Sequence, residues 1–260
     1  SIMSAGSPVD AKWMSLPDGV SVPVPPAEHP RLFLRAGDIP DLRARIKHPA
    51  LKPYWDNLQR LGERNAENRM VVDALRCLIQ PDSALARRAI STALDTLEKA
   101  EWNMETGDVS RPIGRMLLAA AVVYDWCYGW LTSQEKEEFA VQFIRLARLF
   151  EIGYPIRQDG ALTGHLAEWM VMRDMLSAGI ATYDEYPDMY VEAAGKFFRA
   201  FLPARNWIYP GGAYHQGAAY GDTRFGSDLY PLWIFDRMGA GNVYNPSQQF
   251  IPYQWIYMRR

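Results

Sequence analysis

Cysteine is scarce in this chain: Cys77 and Cys127 are the only two among 260 residues. Two cysteines so far apart identify neither a disulfide nor a metal site, and both fall in apolar helical patterns, where a thiol serves as a small buried hydrophobe. A net charge is also missing. The 28 basic and 30 acidic side chains leave a formal −2, so no global field points to nucleic acid, and a polyanion would need a local basic patch. No apolar run approaches the roughly 20 residues of a membrane span. The opening SIMSAGSPVDAKWM lacks the charged and apolar regions of a secretory leader, which either never existed or has been removed. Period-two alternation of any length is absent too, so strands are not expected.

What the chain does hold is a large apolar share, 48%, ample for the core of one large domain or two small ones. Nine Trp and fourteen Tyr suit stacking on carbohydrate and suit a large helical core equally well. Residues 1–30 are proline-rich, and the run Val22-Pro23-Val24-Pro25-Pro26 should be extended, which makes 1–30 an N-terminal arm strapped over a body of residues 31–260. His29 and His48 each precede a proline and read as ordinary loop residues. Asp38-Ile39-Pro40 opens a helix that His48-Pro49 ends.

Helical periodicity then dominates, near 51–64, 66–80, 82–101, 110–130, 133–153, 164–187, 184–202, 217–238 and 245–260. Asp82, Ser110 and Thr132 or Ser133 are the expected N-caps, and Gly129 and Gly153 lie near helix ends. Nine or ten helices of similar length on short loops predict an all-α fold: an (α/α) toroid, an incomplete α/α barrel of antiparallel helix pairs, with a plain bundle as the alternative. The chain stops at Met258-Arg259-Arg260, directly after an aromatic run and without a terminating signal, which suggests a piece of something longer.

The stretch 164–187, GHLAEWMVMRDMLSAGIATYDEYP, has apolar residues at helical spacing and reads as an amphipathic helix capped by Thr163 or Gly164. His165 and Glu168 stand three apart, so they project from one side at its N-terminal end, on a line continuing through Met172 and Met175. An imidazole and a carboxylate so placed can move protons. The same pair also serves as a first-turn acid and a cap partner. A second segment, 206–228, NWIYPGGAYHQGAAYGDTRFGSD, gathers Tyr209, Tyr214, His215, Tyr220, Asp222 and Arg224 around a Pro-Gly-Gly turn, and loops this rich in polar aromatics tend to bind ligands.

At HPRLFLR near the start, HLAEWMVMRD (165–174), YHQGAAYGDTRFGSD (214–228) and DRMGAGNVYNPSQQ (236–249), the chain resembles the heparinase II group of bacterial heparin and heparan sulfate lyases within the heparinase II/III-like family. The likeness runs from residue 29 to the last residue. It implies an α/α toroid followed by a β-sandwich and a smaller sheet domain, a periplasmic or secreted location, and a sulfated glycosaminoglycan substrate, with no nucleic-acid or membrane partner and with a homodimer as an admissible assembly. Matched motif by motif, the catalytic His and Glu fall on His165 and Glu168, and the catalytic Tyr on Tyr220. The family's further His and its structural zinc belong to the sandwich, beyond Arg260, so no cofactor is expected in this chain and the resemblance does not imply activity of this chain alone. The stretch between Gln59 and Val72 is short against the family pattern, and no substrate contact is carried over there.

Such a lyase removes the C5 proton of a uronate and protonates the departing O4, and the carbanion requires the uronate carboxylate to be neutralised. Glu168 suits this by sharing a proton with that carboxylate. Tyr220 is the expected acid, and also the base for glucuronate, its hydroxyl activated by cations such as Arg224 or a protonated His215. His165 would orient Tyr220 or bind the carboxylate. His215, Arg224, Arg205 and Asn206 are the candidates for holding sulfate and carboxylate groups, since guanidinium forks match both, although each also suits a cap or an ion pair. Two other readings stay open: an inverting glycoside hydrolase using Glu168 and Asp222, and a non-catalytic glycan-binding fragment.

Overall fold

The computed structural model describes residues 21–102, 109–156, 167–208, 226–241 and 243. Among them are nine helices and no strand, so the all-α expectation holds. In chain order these are α1 (Ile39–Arg45), α2 (Lys52–Leu61), α3 (Ala66–Ile79), α4 (Ser83–Glu98), α5 (Ser110–Trp126), α6 (Ser133–Ala147), α7 (Ala167–Trp169, a wider π-turn Met170–Met175, then Leu176–Ala181), α8 (Asp188–Lys196, a π-turn Phe197–Phe201, then Leu202–Ile208) and α9 (Gly226–Arg237).

Local chemistry sets several of these boundaries. Asp82 caps α4 by accepting from the amides of Ala84 and Leu85 at 2.8 and 3.2 Å. Thr132 and Glu135 form a reciprocal capping box on α6, and Asn65 caps α3 through the Asn68 amide. Each cap contributes about 1 kcal/mol. Ser110 is the first residue inside α5 rather than its cap, which is Val109 without a side-chain bond. The helix expected from 184 starts at Asp188 and continues past 202 to Ile208, because a π-turn absorbs one extra residue where a break was read. The helix expected at 245–260 and the cap at Thr163 or Gly164 lie outside the described residues.

The largest departure from expectation concerns α7. It is not an amphipathic surface helix: from Glu168 to Thr182 only Trp169 and Arg173 are even half-buried, and every other side chain is buried. A helix apolar on nearly all sides belongs in a core, and α5, α8 and α9 surround this one. Small residues permit the approach. A Cβ on Gly179 would lie 2.4 Å from the amide nitrogen of Tyr190 in α8, and one on Gly114 of α5 would lie 2.0 Å from the Asp174 carboxylate. Around this axis pack Leu117, Val123, Met172, Met175, Leu176, Ile180, Phe197, Phe201 and Phe235.

His29 is not an ordinary loop residue. Its Nδ1 is 2.6 Å from Asp125 and its Nε2 is 3.0 Å from Asp184, while its ring stacks on Tyr128 at 3.6 Å between centroids. Buried Arg31 completes the latch, donating to Asp184 and to the carbonyls of Pro26, Ile180 and Ala181. The Asp125 carboxylate accepts from the amides of Arg31 and Leu32. The described end of the arm is thus pinned to the ends of α5 and α7. Beyond it, the Leu34 amide bonds the Leu32 carbonyl at 2.8 Å, a tight turn that puts Phe33 at φ +66°, packed against Tyr230 and Trp233 of α9.

Candidate functional site

Glu168 lies in the first described turn of α7, just before its π-turn; Arg205 lies in the last stretch of α8, just after the second π-turn. Asp228 stands in the first turn of α9, where the helix N-terminus favours an anion. The three meet. Arg205 donates from Nη2 to Glu168 Oε1 at 2.7 Å and from Nε to Asp228 Oδ1 at 2.9 Å, and its guanidinium rests on the Phe201 ring at 4.9 Å. Glu168 and Arg205 are fully buried and Asp228 is 3% exposed. Further contacts complete the surroundings of all three.

One guanidinium is therefore shared by two carboxylates from different helices. Such a fork carries geometric information a lysine could not, since both bonds leave one rigid plane. Removing a single member of a buried ion cluster costs about 3–5 kcal/mol, because a charge is left uncompensated. The triad consequently locks α7, α8 and α9 to one another, and it fixes where the Glu168 carboxyl points.

A second set of groups flanks the triad. Arg173 lies over the Trp169 ring at 4.6 Å and within 5.8 Å of the Tyr230 ring, and Trp169 and Tyr230 meet edge to face at 5.8 Å. Arg173 also bonds buried Asp174, whose carboxyl burial pushes up to about 6 despite that arginine. This gives α7 a carboxyl that titrates within the physiological range without being in the expected site.

Of the residues singled out from the sequence, the structure brings Glu168 and Arg205 into direct contact. Asn206 follows on the same turn, half-buried and with partners of its own. His165, Tyr220, His215 and Arg224, like Asp222 of the hydrolase reading, lie outside the described residues. Arg205, expected to meet substrate groups, is instead buried against protein carboxylates. Asp228 and Arg173 were not anticipated as partners; an Asp in the first turn of a helix is so common that only its buried arginine marks it out. Among the described residues no group of three or more His, Cys, Asp or Glu side chains could hold a metal ion, and no helix is long and apolar enough to cross a membrane.

No family model matches this chain, and no curated protein matches it.

Proposed function

We propose that the chain is the helical, toroid-forming part of a polysaccharide lyase of the heparinase II/III-like kind, cleaving heparin or heparan sulfate by β-elimination at uronate residues in a periplasmic or extracellular setting. The observation that carries the reading is the fixed Glu168: a carboxyl on the central helix, held by the Arg205 fork, in the motif whose His165 and whose later Tyr220 supply the other two groups such chemistry needs. Antiparallel helix pairs closing into an (α/α) toroid fit the helix lengths and short connections.

In this reading Tyr220 protonates the O4 leaving group and removes the C5 proton when both lie on one face of the sugar, each role contributing about 10²–10⁴ in rate. His165 orients Tyr220. Glu168 meets the uronate carboxylate, and Arg205 supplies the positive charge behind the pair, which spreads the developing negative charge into a site already compensated. A proton shared between Glu168 and the uronate requires the substrate to compete with the Arg205 hydrogen bond. His215, Arg224 and Asn206 hold sulfate and hydroxyl groups. The family's zinc and additional His lie in a downstream domain.

Complete burial of Glu168 favours a second reading, in which the triad is purely a clamp between helices and the chain binds glycan without turning it over. Incubation of the longest natural form of the protein with heparan sulfate, heparin and alginate separates these readings through the ultraviolet absorbance of unsaturated uronate ends. Absorbance with the first two, abolished by Tyr220→Phe, supports the lyase. New reducing ends without absorbance would replace it with a hydrolase, and binding without either product leaves the clamp.

A further inference from the structure

His29 ends the proline-rich arm, and its side chain is held between two carboxylates from different parts of the chain. Nδ1 lies 2.6 Å from Asp125 at the end of α5, and Nε2 lies 3.0 Å from Asp184 just beyond α7. The ring stacks on Tyr128 at 3.6 Å between centroids, and Lys136 of α6 lies over the same tyrosine at 3.5 Å, so imidazole and ammonium flank the Tyr128 ring from opposite faces. Glu185 accepts from Tyr124, Tyr128 and Lys136, which neutralises that ammonium. On the arm itself, Arg31 donates to Asp184, and Glu28 pairs with Arg35 at 3.4 Å.

The donor count fixes the charge of the ring. Groups other than His29 already hold both carboxylates as anions: Asp125 accepts the Arg31 and Leu32 amides, and Asp184 accepts from the Arg31 guanidinium through both oxygens. Burial acts to raise the Asp184 carboxyl, yet hydrogen bonds from His29 and Arg31 hold it below its ordinary value. A carboxylate can only accept, so both ring nitrogens donate, and only the imidazolium has two N–H groups.

We propose that His29 is a pH-sensitive latch: as an imidazolium it bridges Asp125 and Asp184 and straps the arm across the ends of α5 and α7, and loss of one ring proton releases Asp184 and loosens the arm. The proposal stands independently of the lyase reading. The proton that leaves is the one on Nε2, because the Asp184 side chain is 35% exposed and keeps Arg31 as a donor, whereas Asp125 is fully buried and makes the shorter contact. The neutral ring then keeps its Nδ1–H on Asp125 and turns a lone pair toward Asp184, two acceptors facing each other. The strapped arm holds a proton that the released arm gives up, so strapping weakens as pH rises. Histidine side chains change charge between about pH 5 and 8, which sets the window.

Hydrogen–deuterium exchange of the full chain, read by mass spectrometry on peptides covering residues 21–34, tests this at about pH 6 and about pH 8. Labelling times are scaled to the exchange of an unfolded peptide of the same sequence. The expected result is a roughly tenfold loss of protection in that segment at the higher pH, the size of one hydrogen bond to a charged group, with peptides from α3 and α4 changing less. Asp184→Asn should keep the arm protected at both values, because its side-chain amide donates to the neutral ring and its oxygen still accepts from Arg31. His29→Gln should remove the pH dependence. Equal protection of the wild-type arm at both values, an equal loss in α3 and α4, or the same loss retained in either variant would each overturn the proposal. The wild-type comparison and Asp184→Asn decide the matter even where His29→Gln does not fold.

Discussion

Replacing Asp125 with alanine should destabilise the fold more than a change at one carboxylate ordinarily does. Asp125 is fully buried at the end of α5 and serves three donors: the amides of Arg31 and Leu32, each at 2.9 Å from Oδ2, and His29 Nδ1 at 2.6 Å from Oδ1. Arg31 and Leu32 are themselves fully buried, so water cannot take the place of the lost carboxylate without opening the structure. Each stranded amide costs about 1–3 kcal/mol. Breaking a buried charge network from one side costs about 3–5 kcal/mol, and the two descriptions overlap rather than add. The expected loss is therefore about 3–5 kcal/mol, which at roughly 2–4 °C per kcal/mol lowers Tm by about 6–20 °C. Asp125→Asn, which keeps one acceptor oxygen, should lose roughly half of this. Thermal melts by circular dichroism measure both, and limited proteolysis reports whether the arm comes away, with new cleavage between residues 21 and 34 in the alanine variant. A Tm within about 2 °C of wild type for Asp125→Ala, or an unchanged proteolytic pattern, refutes the latch.

Three further outcomes can be checked with the same instruments. Gly179→Ala sets a Cβ 2.4 Å from the Tyr190 amide nitrogen and 2.6 Å from its Cα, so α7 and α8 must separate; the cost of about 1–3 kcal/mol outweighs the roughly 1 kcal/mol alanine gains in helix propensity, and an equal or higher Tm contradicts the close contact. Asp174, its carboxyl pushed from 3.8 up to about 6 by burial, binds a proton when folded that the unfolded chain has released, so its contribution falls as pH rises from about 4 to 6 and stays about 3 kcal/mol lower above that window. Asp174→Asn should remove this component, seen as the difference between the two Tm–pH curves; parallel curves sink it. Arg205→Met strands two buried carboxylates and should cost about 3–5 kcal/mol in urea unfolding, with Arg205→Lys intermediate because an ammonium cannot reproduce the fork; a neutral Arg205→Met would mean that the triad does not hold the helices.

Where a feature is set by residues within one turn of one another, the sequence displayed it. The caps at Asp82 and Thr132 act over three residues and stand as read, and the all-α character follows from a period that repeats along the whole chain. The amphipathic reading of α7 failed for a reason that no periodicity within it reveals. Its polar face carries Glu168 and Asp174, and these are buried because Arg205 and Arg173 accompany them; its small residues are contact points for neighbouring helices. Which side of a helix faces solvent is a property of its neighbours.

The same logic separates His29 from His48. Both precede proline, and locally they are alike. What makes His29 a bridge is Asp125 and Asp184, 96 and 155 residues away, together with the Tyr128 ring on which it lies. Long-range pairing also turns Arg205 from a surface guanidinium that could greet an anion into the centre of a buried fork. In each case the residue type was legible and its partner was not. Arg205 shows the consequence for function most plainly: by committing its planar donors to Glu168 and Asp228, it gives up direct recognition of a sulfate and instead sets the position and compensating charge of the carboxyl on the central helix. In the proposed lyase, α8 and α9 must be in place for the Glu168 carboxyl to be positioned, so loss of activity on disturbing Asp228 would follow from geometry even without a contact between Asp228 and substrate.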